Sequence, residues 1–222
     1  MAVVTPDLPD LFEEAFERAG LEMRSGYDLK TARRSLNMLT LEWQNRGLNL
    51  FTIEAGTQVL TAGTAEYTMP ADTIDLIEHQ LRTGSGTNQS DTALERISVS
   101  SYAQQTNKNL RGRPTQVYIH RGSGAVTATL WPVPDDSEPY TLAFYRLKGI
   151  DGLASGIGAS VGVPPRFVPA LVAGLAHQIA MKRPEVTDRV PLLKQEYEQQ
   201  FQMAASEDEE RASVRFVPFM GY

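Results

Sequence analysis

Arg166-Phe167-Val168-Pro169-Ala170-Leu171-Val172-Ala173-Gly174-Leu175-Ala176-His177-Gln178-Ile179-Ala180-Met181 is apolar on nearly every side. A helix that is apolar all round is a buried one. Lys182-Arg183-Pro184 ends it, because cations suit the C-terminal dipole and proline cannot continue the run. Further on, Leu193, Tyr197, Phe201 and Ala204 recur at four- and three-residue steps, one stripe on an otherwise charged and Gln-rich helix. Val163 to Arg211 therefore reads as a helical hairpin with too much apolar surface to stand alone. The rest of the chain must supply its partner.

The opposite end of the chain offers one. Leu11, Phe12, Ala15, Phe16 and Ala19 form the apolar face of a first helix, with Asp7 or Pro9 at its start and Gly20 placed as a left-handed terminator. A second helix is predicted from about Asp28, read as its N-cap, to Arg46. Leu29, Ala32, Leu36, Leu39 and Trp43 repeat along it, Arg33, Arg34 and Glu42 are placed outward, and Gly47 stops it. Residues 1–50 and 163–212 are thus expected to form one helical bundle from the two ends of the chain. Its predicted core is Phe16, Leu36, Leu39, Trp43, Phe167, Leu171, Leu175, Ile179, Tyr197 and Phe201.

Between the helices, over residues 51–148, the period shortens to two. Thr57 to Leu60 and Glu66 to Met69 read as a hairpin about Ala62-Gly63, ended by Pro70. Ile74, Leu76 and Ile77 open a strand running through His79 and Leu81. Thr83 to Ser90 is an exposed, flexible loop, and Glu95-Arg96-Ile97 a short return strand. Ser98 or Ser100 caps a short helix through Gln105. Strands follow at Thr115 to His120, Val126 to Trp131 and Tyr140 to Leu147, separated by Gly122-Ser123-Gly124 and Pro132 to Asp136. The fold class is therefore α+β: a helical bundle of the terminal helices with an inserted antiparallel β module, a meander or sandwich. Gly149 to Gly162, rich in Gly and Ser, is expected to flex as a connector.

The composition narrows the function. With 222 residues, 41% hydrophobic and 22% charged, the chain can bury an ordinary core. A net charge of −6 argues against a sequence-reading nucleic-acid binder, which carries a basic face. The absence of cysteine removes disulfides and thiolate chemistry. Met1 to Asp7 lacks the pattern of a secretion signal, and the 166–181 run is too short and too rich in alanine to span a membrane.

No motif carries chemistry. Gly84-Ser85-Gly86-Thr87 and Gly156-Ile157-Gly158 lack the Gly-Lys-Ser/Thr of a phosphate loop and read as loops. His79, His120 and His177 do not share metal-ligand spacing; His177 reads as a core or interface histidine, and His79 and His120 as half-exposed strand residues. Asp72 with Asp75, and Asp135 with Asp136, flank prolines where carboxylates serve turns rather than acid–base chemistry. Asn88-Gln89-Ser90 matches a glycosylation pattern in a chain with no sign of secretion, and Glu207 to Glu210 reads as a solvated helix end. No catalytic, cofactor or metal residue is assigned, and the chain reads as no enzyme.

The last ten residues, 213–222, are unusual because free termini are generally polar. Arg215, Phe216, Val217, Phe219, Met220 and Tyr222 make an apolar, extended segment after an acidic run. Burying its three aromatic rings would contribute roughly 5–9 kcal/mol before ordering costs. Two readings are open: the segment packs on its own subunit, or it docks on another chain, as an added strand for example.

Several stretches resemble, in order, the head-to-tail adaptor proteins of tailed bacteriophages. They are Leu36 to Phe51, Gly63 to Asp72, Arg113 to Tyr118, Leu130 to Pro134, Tyr140 to Leu142 and Val163 to Ala176. The series covers nearly the whole chain. The resemblance implies a structural virion protein at the head–tail junction, assembled in the host bacterial cytoplasm. It implies a homo-oligomeric ring, commonly of twelve copies, below the portal protein, extending the DNA channel and offering a surface to tail nozzle, tail tube or fibre proteins. Genomic DNA would pass without sequence-specific binding, and no membrane or cofactor is implied. The competing reading is a carbohydrate-binding or cell-wall-degrading tail component, with Trp131 and Tyr140 as sugar-stacking rings. A β-rich scaffold unrelated to phages is what is left if the ordered series is coincidental.

Overall fold

In the structure, a computed structural model that describes residues 7–24, 26–47, 50–150 and 162–208, the chain divides into two compact units. One comprises residues 1–51 and 150–222, the other residues 52–149. The fold is mixed α+β, with five α-helices among the described residues and largely antiparallel sheets.

The helical unit is organised on α4 (Val168–Ala180), whose residues 170–176, Ile179 and Ala180 are all buried. It packs against α1 (Leu8–Ala19), α2 (Gly26–Asn45) and α5 (Val190–Glu207). One apolar cluster joins the four helices and holds all ten residues named above as core. Helix α1 ends where Gly20 takes the left-handed conformation (φ 80°) and its N–H donates to the carbonyls of Glu17 and Phe16, a geometry that costs a side chain and suits glycine.

Two local expectations for this unit are corrected. Asp28 does not cap α2 from outside. The helix begins at Gly26, and Asp28 lies buried in its first turn, accepting from the Arg24 N–H at 3.1 Å and pairing with Arg183. Glu42 does not simply face water, because it is half-buried and accepts from the Tyr197 hydroxyl at 3.1 Å. In both cases a residue far along the chain recruits the carboxylate.

The β unit is two four-stranded sheets and a two-stranded ribbon. The first sheet has the order β1 (Ile53–Val59), β10 (Tyr140–Lys148), β3 (Thr73–Thr83), β4 (Ser90–Ala93). The second has the order β2 (Glu66–Thr68), β8 (Thr127–Trp131), β7 (Gln116–His120), β5 (Glu95–Ile97). The ribbon pairs β6 (Arg111–Gly112) with β9 (Val133–Pro134). Leu76, Leu81 and Leu142 of the first sheet share one buried cluster with Val117, Ala128 and Leu130 of the second, so the inner faces enclose a common core. Short helix α3 (Val99–Gln104) starts at Ser98, whose hydroxyl accepts from the Ser101 N–H at 3.1 Å.

The topology departs from the sequence reading in two places. Residues 57–60 and 66–69 do not form a hairpin: β1 pairs with β10 and β2 with β8, so the turn at 61–64 is a corner between sheets. The Tyr67 hydroxyl closes that corner, accepting from the Thr61 N–H at 2.8 Å and donating to the Thr61 carbonyl at 3.1 Å. Nor does Glu95-Arg96-Ile97 return on β3. That position belongs to β4, and β5 crosses to lie parallel to β7. His79 is also corrected: it is buried, facing inward opposite Phe144, with Nδ1 lacking a partner. Of the expected connector, residues 151–161 lie outside the described residues; the Gly149 N–H donates to the Asp72 carbonyl at 2.7 Å.

Candidate assembly site

The helical unit ties the two ends of the chain together through polar groups set around its core. Arg46, at the end of α2, is gripped from two sides. Glu42 accepts at 2.5 Å and 3.0 Å, and Glu198 of α5 accepts through both oxygens at 2.7 Å. The guanidinium covers the rings of Tyr197 and Phe201 at 4.9 Å and 4.7 Å, so stacking adds to the fork of charged hydrogen bonds. The Glu198 bond raises the Arg46 pKa further, and Arg46 in turn holds the Glu198 carboxyl below its usual range.

Beneath this clamp Trp43 Nε1 donates to the Tyr197 hydroxyl at 2.8 Å, and that hydroxyl donates to Glu42. Burial pushes the Tyr197 phenol well above its ordinary value, which keeps the proton that the second bond needs. Gly174 of α4 faces the same spot. A Cβ there would come within 2.8 Å of the Tyr197 ring and 2.9 Å of Leu39 Cδ1, so glycine sets how closely the helices approach. His177 stacks on Tyr197 at 6.4 Å, and burial, followed by Lys194, lowers its pKa. Arg18 with Glu196 at 3.1 Å, Arg183 with Asp28, and Lys182 with Ser35 at 2.6 Å make further links between the ends.

In the β unit three of the four carboxylates considered for acid–base work are committed to structure. Asp72 and Glu54 each bind the inward-facing Arg146 at 2.5 Å, and Thr73 accepts from the same guanidinium at 2.9 Å. Arg146 holds the Asp72 carboxyl below its usual range. Asp75 pairs with Arg96 at 2.9 Å and Arg121 at 3.1 Å. Asp135 accepts from Ser137 and Tyr140, which lowers its pKa. Tyr140 is itself buried, and Trp131 donates its Nε1 to the Asn107 carbonyl at 3.0 Å. The two rings required for sugar stacking are thus not presented together. Among the described residues, no group of three or more His, Asp or Glu side chains could hold a metal.

The terminal residues expected to dock, Arg215, Phe216, Val217, Phe219, Met220 and Tyr222, lie outside the described residues. The sequence reading missed the Arg46 clamp, although Glu42 and Arg46 at four-residue spacing are the signal for half of it.

The family model described as the SU10 adaptor protein matches residues 7–218, nearly the whole chain. The chain belongs to the SU10 adaptor protein family. This is a family of phage head-to-tail adaptors, so the protein is a structural adaptor of a bacteriophage virion and an associate of portal and tail proteins. Comparison with curated proteins gave no match. The match takes in both units and all of the residues that clamp the ends of this SU10-type adaptor together. No described helix is long and apolar enough to cross a membrane.

Proposed function

We propose that this adaptor works as one subunit of a closed ring, twelve-fold by resemblance, seated below the portal at the head–tail junction. In this reading the helices of both chain ends form a bundle that carries the inserted β module. The ring prolongs the DNA channel and presents the attachment surface for tail nozzle, tube or fibre proteins. The role is mechanical and not catalytic. Genomic DNA slides through without sequence-specific contacts, as suits subunits of net charge −6 that repel phosphate. Residues 213–222 dock on the portal or on a neighbouring subunit, and assembly takes place in the host cytoplasm. The observation that carries the reading is the family match over residues 7–218.

Negative-stain imaging of the purified chain, alone and with its portal protein, tests it. Ring-shaped particles seated on the portal are expected, and isolated subunits in both samples would refute the proposal. Deleting residues 213–222 is expected to weaken portal binding. Unchanged binding would remove the portal-docking role of that segment and leave the ring in place.

A further inference from the structure

The outer face of α2 carries charge that its own subunit does not neutralise. Tyr27, Thr31 and Arg34 of α2, with Lys182 and Arg183 after α4, line a surface pocket of about 230 Å³. Arg183 is committed to Asp28. Lys182 is not matched to an acid: its ammonium donates to the hydroxyl of the fully buried Ser35 at 2.6 Å. Arg34 has no carboxylate partner among the described residues and stands close enough to Lys182 for the two cations to repel; burial and then Arg34 lower the Lys182 pKa. From this pocket an exposed stripe runs along the same helix face at steps of seven, four and three residues: Tyr27, Arg34, Met38 and Leu41, the last two 60% and 51% exposed.

The complement lies on α1. Asp7, Asp10, Glu13 and Glu17 are exposed at steps of three, three and four and have no cationic partner among the described residues, whereas Glu14 is paired with Arg18. Each helix turns its buried side toward the shared core, so both charged faces point outward from the helical unit. Copies with a net charge of −6 repel one another at a distance. A local pair of opposite faces is then what fixes partner and register.

We propose that the α2 face around Arg34 and Lys182 is the docking surface for the acidic face of α1 from a second copy of this chain. The contact joins unlike faces, so it repeats from subunit to subunit and closes only as a ring. The incoming carboxylates relieve the repulsion between Arg34 and Lys182, and Met38 and Leu41 lose water against the aliphatic stems of the glutamates. This inference rests on the ring reading above and names the faces that build the ring.

Two charge-reversed variants of the full chain test it, Arg34→Glu/Lys182→Glu and Glu13→Lys/Glu17→Lys, assembled on portal protein at low salt and counted by mass photometry. Each alone is expected to lower the assembled fraction at least about tenfold, since like charges then face each other. An equimolar mixture is expected to assemble again, because unlike faces alternate. Arg34→Glu alone is expected to keep or raise the melting temperature of the single subunit, an outcome that loss of fold would not give. Because the chain has no cysteine, Met38→Cys/Glu17→Cys provides an independent readout, with a bismaleimide expected to give a ladder of linked subunits. Assembly of both reversed variants at the parent level, or rings of the Met38→Cys/Glu17→Cys variant that yield no ladder, would overturn the interface and leave the ring intact. A parent chain that stays single on the portal would overturn both.

Discussion

The helical unit and the β unit solve the same problem in opposite ways. The helical unit is built from segments far apart in the chain, so α1 and α2 can pack on α4 only after a long loop is closed. Its compensation is a helix buried on nearly every side and a clamp that spans the closure: Arg46 to Glu198, and Trp43 to Tyr197 to Glu42. The β unit is continuous in sequence and encloses its own core between two sheets. Its strongest polar tie is internal, with Arg146 held by Asp72, Glu54 and Thr73. The lesson is that the inserted unit closes its core with residues of one continuous stretch, whereas the unit made of chain ends depends on long-range ties. The two tryptophans allow each unit to be followed separately, since Trp43 lies in one and Trp131 in the other.

The largest expected effect breaks the helical core. Phe167 is fully buried and sits 5.7 Å from the Trp43 ring. Phe167→Ala is expected to cost about 3–5 kcal/mol. In a denaturant titration the Trp43 fluorescence midpoint should fall much further than that of Trp131. Equal shifts would mean that the units do not differ in the way described.

Next is Gly174→Ala, which drives a methyl group against Tyr197 and Leu39. About 1–3 kcal/mol of destabilisation is expected, again centred on the Trp43 signal. A neutral or stabilising result would show that the helices can move apart at no cost.

In the β unit Arg146→Met strands two carboxylates that are themselves 41% and 46% exposed, so screening limits the loss to about 1–2 kcal/mol. The sign with pH follows from Asp72. Its folded pKa is below its unfolded value, so the parent gains stability above the unfolded value and loses it as pH falls through the folded one. The Trp131 midpoint of the variant should therefore fall less steeply on acidification than that of the parent.

The smallest effect comes from His79. Burial, then Arg96, depress its folded pKa, so protonation favours the unfolded chain and stability declines as pH drops below about 6.5. His79→Phe should flatten the melting temperature between pH 7 and pH 5. An unchanged slope would assign that slope to other groups.

The same contrast explains what is legible in the sequence. A helix is specified by neighbours three and four residues apart, so the apolar steps in α1, α2 and α5 and the left-handed Gly20 can be read directly. The residues of the buried cluster follow from those steps. Strand pairing is non-local, and a period of two shows that β1 and β2 are strands without naming their partners. The turn at 61–64 is short enough for a hairpin, yet Tyr67 makes it a corner. His79 was hidden by the register shift opposite Tyr145 and Arg146, which changes the face that alternation assigns. The Arg46 clamp was half visible; Glu198 lies 152 positions further on, beyond the reach of local spacing.

The central claim is that a unit made from both chain ends serves as the repeating piece of a ring. Native mass spectrometry of the full chain assembled on its portal tests it most directly. The account predicts a bound mass that is a fixed multiple of the 24.5 kDa subunit, twelve by resemblance. A single bound copy, or none, would contradict it.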